Sequence, residues 1–479
     1  MFLQQIHDSS LSQYAYLIGC AETGEALLVD PERDIDRYRP LAEANDLTIT
    51  HVAETHIHAD FLSGTRQFLE TDDEVHAYLS AEGGSDWQYE WATDHDRVSL
   101  LKHGDQFSVG NVKITALHTP GHTPEHLCLL LTDGKANTEE PVALLSGDFV
   151  FVGDVGRPDL LETAAGESNS REAAARSLFA SLEQFRKLGD HVLVLPAHGS
   201  GSSCGKALGS VPFSTVGYER LNSEALLIAE EKGEEAFVEF VLDGQPEPPK
   251  YFARMKQWNR DGAPVLSSLP EPNRLSASAL TAIISKDPKN LAILDTRQSR
   301  TDFMKSHLTG SLFTPLGDKF LEAAGSYVDH ENDLYLIVEN ESDIPSVVRQ
   351  LVRIGLDNVK TYAVWSEIDE GATCRDWMRS TPTIDVTEID PTDRVLDVRS
   401  AGEFHAGHVP NAHHLPHTRL VADHDQLPEP GPLTVHCGSG MRAALAAAQL
   451  ERDDYQVTFA NGAFADWKEN AEQMETGAA

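Results

Sequence analysis

The sequence predicts an α/β multidomain protein, and three observations predict it. Apolar strands alternate with helical and loop segments along the whole chain. A length of 479 residues exceeds what one ordinary core supports, so several domains are expected. Near the C-terminus, "RVLDVRSAGEFHAGHVPNAHHLPH" repeats in degenerate form the earlier "AILDTRQSRTDFMKSHLTGSLFTPL".

In chain order, "YAYLIGC" and "EALLVDP" read as paired strands, and "RYRPLAEAND" as a helix. "THVAET" is a strand that runs into the loop "THIHADFLSG". "VKITALHTPGHT", "VALLSGD" and "HVLVLPAHG" repeat that design, an apolar strand ending in a polar turn with His or Asp. Strand ends of one kind point to one site built along an edge of the sheets, on loops that a rigid scaffold holds. The Pro-rich stretches "DGQPEPPK" and "SSLPEPNRLS" then mark a linker over 246–270, after a first domain at 1–245. The two repeat copies follow as α/β units at 271–380 and 381–479.

Composition limits the function. The net charge is -38, from 76 acidic and 38 basic residues, a surface that repels phosphate backbones and argues against nucleic acid. A hydrophobic content of 41% with 24% charged residues is that of a globular protein. No apolar run approaches the roughly 18 residues of a membrane span. "MFLQQIHDSS" has neither the basic nor the apolar region of a signal peptide. Five cysteines, scattered and odd in number, make no disulfide framework, so a cytoplasmic protein is expected. Both a monomer and a homo-oligomer stay open.

Six residues of the first domain suit a metal: His56, His58, Asp60, His122, Asp148 and His198. Neutral imidazole nitrogen and hard carboxylate oxygen together fit Zn, Fe(II) or Mn. "THIHAD", "HTPGHT", "SGD" and "PAHG", in this order over residues 1–245, resemble the metallo-β-lactamase superfamily. That resemblance implies an αββα sandwich with the metal at the edge of its two sheets. "GDVGRPDL" and "HGSGSSCGKALGS" resemble the persulfide dioxygenase branch and its members fused to rhodanese domains. Two-metal hydrolases of the superfamily place a histidine after the aspartate to hold a second ion; here that position is Phe61, which cannot ligate. The branch implies one Fe(II) per chain held by His56, His122 and Asp148, with His58, Asp60 and His198 behind them, or His58 as a fourth ligand as in zinc enzymes. Arg157 and Asp159 either shape the pocket or brace a loop. Cys204 stands near Lys206, whose ammonium would lower its pKa. Cys20 and Cys128 read as small buried hydrophobes.

"TVHCGSGMRAALAAAQLE" is the second signal. Cys437 opens a loop of Gly438, Ser439, Gly440 and Met441 that leads through Arg442 into a helix. Successive backbone N–H groups and Arg442 should stabilise a thiolate or a Cys-bound persulfide. The segment resembles rhodanese sulfurtransferases, with Asp397 and Arg399 in the upstream turn. A cysteine phosphatase cradle has five residues between Cys and Arg, whereas this loop has four. In the preceding copy Glu339 takes the cysteine's place and Cys374 lies too far downstream to replace it, so that unit resembles an inactive rhodanese domain. Together the resemblances imply oxidation of glutathione persulfide, or a similar small persulfide, with O₂ to sulfite. Sulfur transfer at Cys437 would then form thiosulfate. The rivals are a zinc-dependent thioester hydrolase of the glyoxalase II kind, built on His56, His58 and His122, and a sulfur relay without dioxygenase activity.

Overall fold

The computed structural model describes residues 1–163, 170–286, 291–369, 372–470 and 474–477. The chain forms two compact units, residues 1–248 with 252–267, and 249–251 with 268–479.

In the first unit two six-stranded sheets face each other. One runs in the order Phe2–Asp8, Gln13–Gly19, Glu25–Val29, Thr48–Ala53, His76–Ser80 and Val98–Leu101. The other runs Ser214–Thr215, Leu193–Pro196, Ala143–Gly147, Leu127–Asp133, Val112–His118 and Gln106–Val109. Side chains alternate along a strand, so Tyr16 and Ile18 enter the core between the sheets with Leu129 and Leu145. Ala15 and Leu17 face outward and meet Tyr38, Ala42 and Phe68. On the opposite outer face Leu144 and Val194 pack under the helix Arg171–Arg186 through Leu178, Leu182 and Phe185. Both outer faces are therefore covered by helices, giving the αββα sandwich.

The second unit contains two five-stranded parallel sheets of one topology. The first has the order Asn273–Arg274, Val359–Val364, Leu334–Val338, Ala292–Asp295, Ser311–Phe313. The second has Thr383–Asp385, Gln456–Asn461, Pro432–His436, Val395–Asp397, His413–His414. The strand order matches position for position, and Glu339 and Cys437 each follow the central strand. No described helix is long and apolar enough to cross a membrane.

The stretch expected as a linker differs. It contains the helix Phe252–Asp261, which buries Phe252, Met255 and Asn259 on the first unit. Asn259 Nδ2 donates to the His58 and Phe61 carbonyls at 2.8 and 2.7 Å, and its Oδ1 accepts the Ser63 N–H at 2.9 Å. Flanking prolines mask a helix whose face is set by these few side chains. Asn259→Ala leaves three buried backbone groups without partners, at about 1–3 kcal/mol each before relaxation. It should lower the urea midpoint of the first unit's unfolding, whereas Arg260→Ala on the same helix should leave it nearly unchanged.

Candidate metal centre and cysteine loop

Asp148 follows the strand Ala143–Gly147 and is fully buried. Its Oδ1 lies 2.8 Å from His198 Nδ1, and its backbone N–H donates to His126 Nε2 at 3.0 Å. Its Oδ2 has no hydrogen-bond partner among the described residues and lies 3.4 Å from His122 Nε2 and 3.9 Å from His56 Nε2. Each of those imidazoles is held by its other nitrogen. His122 Nδ1 donates to the Arg157 carbonyl at 3.0 Å, and His56 Nδ1 sits 2.9 Å from the Thr55 hydroxyl. The carbonyl fixes the His122 tautomer and leaves its Nε2 lone pair free. Ligand atoms of His56, His122 and Asp148 all lie within 4.8 Å of one another.

The electrostatics suit a cation. Burial and the neighbouring His58 press His56 well below the ordinary histidine value, and burial lowers His122, so both stay neutral. Burial alone would raise the Asp148 carboxyl, but the His198 imidazolium beside it outweighs that and holds it well below the usual range. Two neutral nitrogens and one anionic oxygen, one of them an orphaned buried acceptor, are a donor set that a divalent ion completes.

The remaining predicted residues surround this trio. His58 Nε2 lies 3.1 Å from Asp30, while its buried Nδ1 has no hydrogen-bond partner among the described residues, an orientation compatible with a fourth ligand. His198 Nε2 also contacts Asp60 Oδ2 at 2.8 Å, so its ring spans two carboxylates. Phe61 is fully buried, with its ring 4.3 Å from that of His58. Arg157 makes a two-pronged pair with Asp159, at 2.8 and 2.6 Å, and donates to the Ser203 carbonyl at 3.0 Å. It is an internal brace.

Cys204 departs from expectation, whereas Cys20 is buried in the core between the sheets as expected. Lys206 donates to the Phe240 and Asp243 carbonyls, and burial pushes the Cys204 thiol up to about 12, with His198 opposing it. Cys204 instead joins Asp60 and His198 in a second group whose ligand atoms lie within 4.8 Å. Cys20 accepts the Asn111 backbone N–H at 3.3 Å, and that bond outweighs burial to bring it down to about 7. Burial raises Cys128 to about 12, as a small interior residue should be.

Sequence reasoning missed three supports. Asp30, at φ 52, accepts the Thr55 N–H at 2.7 Å and the Thr55 hydroxyl at 2.9 Å, fixing the start of the histidine loop. His126 orients Asp148, and Asn259 anchors the loop from another element. Asp30 was visible as a polar end to an apolar strand; Asn259 gave no signal.

In the second unit the strand Pro432–His436 delivers Cys437, which is buried, into a loop closed by the helix Met441–Arg452. Gly440, at φ 95, donates its N–H to Cys437 Sγ at 3.1 Å. Ser439 is exposed at the loop tip, and Gly438, Met441 and Arg442 are half-buried. Arg442 is not a free cation: it forms a two-pronged pair with Glu403 at 2.6 and 2.7 Å. Arg399 is held by Asp397 and by the Gly407 carbonyl at 2.8 Å. Arg297 repeats that pair with Asp295 in the copy without the cysteine, so the pair braces the fold. Glu339 is exposed, as a carboxylate at that strand end requires, and Cys374 is buried.

Residues 10–198 match the metallo-beta-lactamase superfamily, and residues 385–470 match the rhodanese-like domain. A metallo-beta-lactamase crystal structure from Staphylococcus aureus subsp. aureus COL is 36% identical, with a TM-score of 0.67, covering 76% of this chain and 99% of that one. The chain belongs to the metallo-beta-lactamase superfamily. A hydroxyacylglutathione hydrolase of Polaromonas sp. is 36% identical over 191 residues, 39% of this chain and 61% of the hydrolase. The crystal structure of ETHE1 from Myxococcus xanthus is 27% identical, with a TM-score of 0.43, covering 54% of this chain and 98% of that one. The superfamily's fold binds divalent metal, and this member carries its rhodanese-like domain downstream.

Two predictions follow from the geometry. A methyl at Gly156 would collide with the Asp148 carbonyl and lie 3.2 Å from His122 Cβ. Gly156→Ala should therefore cut metal retention after dialysis against a chelator, read as metal per chain, by about tenfold or more. At the cysteine loop, burial would raise Glu403, but Arg442 and Ser400 hold it at about 2. Its folded value lies below the unfolded one of about 4.3. The stability it contributes is thus complete above that value and is lost as pH falls through about 2. The Tm difference between wild type and Glu403→Gln should be constant above about pH 5 and narrow below about pH 4.

Proposed function

We propose that the first unit is a mononuclear non-haem iron persulfide dioxygenase, and that Cys437 performs rhodanese-type sulfur transfer. The overall oxidation is RSSH + O₂ + H₂O → RSH + SO₃²⁻ + 2H⁺, with glutathione persulfide or a similar small persulfide as RSSH. The observation that carries this reading is a two-histidine, one-carboxylate trio with its coordinating atoms free, beside a position where Phe61 replaces a ligand. Such a trio leaves a face open for two small reactants and typifies non-haem Fe(II) oxygenases. Iron(II), when bound there, would supply the redox capacity that zinc lacks.

The chain's own groups do the positioning. The Arg157 carbonyl and the Thr55 hydroxyl aim His122 and His56. His198 Nδ1, against Asp148 Oδ1, turns the second carboxylate oxygen toward the trio. Phe61 keeps the neighbouring wall apolar and dry. At Cys437, sulfur transfer exchanges S–S bonds: the thiolate takes sulfane sulfur from a donor, and an acceptor such as sulfite removes it as thiosulfate.

A zinc-dependent thioester hydrolase is the second reading. The hydroxyacylglutathione hydrolase relative favours it, as does the Asp60–His198–Cys204 group, which retains donors on the far side of His198. Both readings place a small thiol conjugate in the first unit.

Anaerobically purified protein should contain one iron per chain and consume O₂ with matching sulfite when given glutathione persulfide. Asp148→Asn should abolish iron retention and O₂ uptake while sparing sulfur transfer from thiosulfate; Cys437→Ser should do the reverse. Zinc content, with no O₂ uptake after iron reconstitution and with thioester hydrolysis instead, would overturn the dioxygenase reading.

A further inference from the structure

The cysteine loop lacks a free cation of its own. Arg442 is neutralised by Glu403 and Arg399 by Asp397, yet the donors and acceptors of sulfur transfer, thiosulfate and sulfite, are dianions. The chain as a whole, at -38, repels them.

One arginine escapes this pairing, and it comes from the other repeat copy. Arg300 opens the helix Arg300–Lys305 of the copy that has Glu339 in the cysteine's place, within the same compact unit. Its Nε donates to Asn461 Oδ1 at 2.9 Å, at the end of the last strand of the cysteine-bearing copy. A Cβ on Gly440 would lie 3.2 Å from both Nε and Nη2 of Arg300, so the guanidinium rests against the residue whose N–H holds Cys437 Sγ. None of the described carboxylates forms an ion pair with Arg300, although acids outnumber bases two to one. The two copies are fastened around this point. His307 meets Glu451 at 3.1 Å, and Arg452 donates to the Leu291 carbonyl at 2.9 Å. His417 meets Glu322 at 3.0 Å.

We propose that Arg300 of the Glu339-bearing copy is the docking residue for the sulfur oxyanion at Cys437, a positioning and specificity role that rests on the sulfur-transfer reading. In the loading step the Cys437 thiolate attacks the sulfane sulfur of thiosulfate. The S–S bond of thiosulfate breaks, a Cys–S–S⁻ persulfide forms, and the electron pair departs with sulfite. Charge is -3 on each side. Arg300 holds the oxygens of the leaving sulfite, and does so again when sulfite returns as acceptor. An uncharged thiol that removes the sulfur does not need it.

The test separates loading from unloading in the full-length protein. Loading is read as kcat/KM for thiosulfate, and unloading as the rate at which dithiothreitol discharges the persulfidated enzyme. Arg300→Ala should lower the first by about ten- to a hundredfold and leave the second within about twofold. Arg300→Lys should recover part of the loss, and wild type should lose more thiosulfate kcat/KM on adding salt than Arg300→Ala does. Asn461→Asp, which places a carboxylate against the guanidinium without changing shape, should reproduce the loss. Equal loading by wild type and Arg300→Ala would overturn the proposal, as would a parallel fall in loading and unloading. If wild type loads no better than Cys437→Ser, the sulfur-transfer reading itself falls, and the Arg300 role with it.

Discussion

The first unit is organised around one buried charge. Asp148 is fully buried at the end of an apolar strand, and a carboxylate there is costly unless its oxygens are compensated. One oxygen is met by His198, which is itself held from behind by Asp60. The other faces His56 and His122 with no hydrogen-bond donor among the described residues, so the fold leaves compensation to a cation. What supports this arrangement is ordinary polar chemistry on neighbouring elements. Asp30 fixes Thr55 and His58, Arg157 fixes His122 through its carbonyl, and Asn259 ties down the backbone of the histidine loop. Because each support lies on a different strand end or helix, the site is as rigid as the sandwich beneath it.

The second unit buries a cysteine, Cys437, where the central strand of one of its two sheets ends. Comparing its two copies separates what the fold needs from what the chemistry needs. The Asp–Arg brace is present in both, as Asp295–Arg297 and Asp397–Arg399, and so is a histidine stacked on the phenylalanine four residues before it, His307 on Phe303 and His408 on Phe404. These are folding features. The cysteine after the central strand and the Gly440 N–H aimed at it belong to one copy alone. In the other, Glu339 turns to solvent, as an unpaired carboxylate must.

Much of this was legible in the sequence, for identifiable reasons. The sandwich could be read because strand alternation and the polar strand ends are local patterns, and the duplication because two long segments share their order of residues. His56, His122 and Asp148 were legible as a set because each closes an apolar strand. What stayed hidden was pairing. That Arg442 belongs to Glu403, that Lys206 turns away from Cys204, and that Arg157 serves through its carbonyl depend on directions that spacing does not encode. Asn259 was hidden differently: a helix between Pro-rich stretches looks like a connector until its buried face has something to meet.

The acid surplus gives these pairings their significance. In a chain with twice as many acids as bases, positive potential is scarce, and a guanidinium keeps its field only where its partner is neutral. Arg300 meets that condition through a neutral amide, Asn461, which orients it without neutralising it. A carboxylate at that position would give a stronger local bond and a weaker field at Cys437. Duplication thus supplies what a single copy could not easily build. The loop's own arginine stays committed to holding the loop's shape, while the field comes from the neighbouring copy, whose central strand is followed by Glu339.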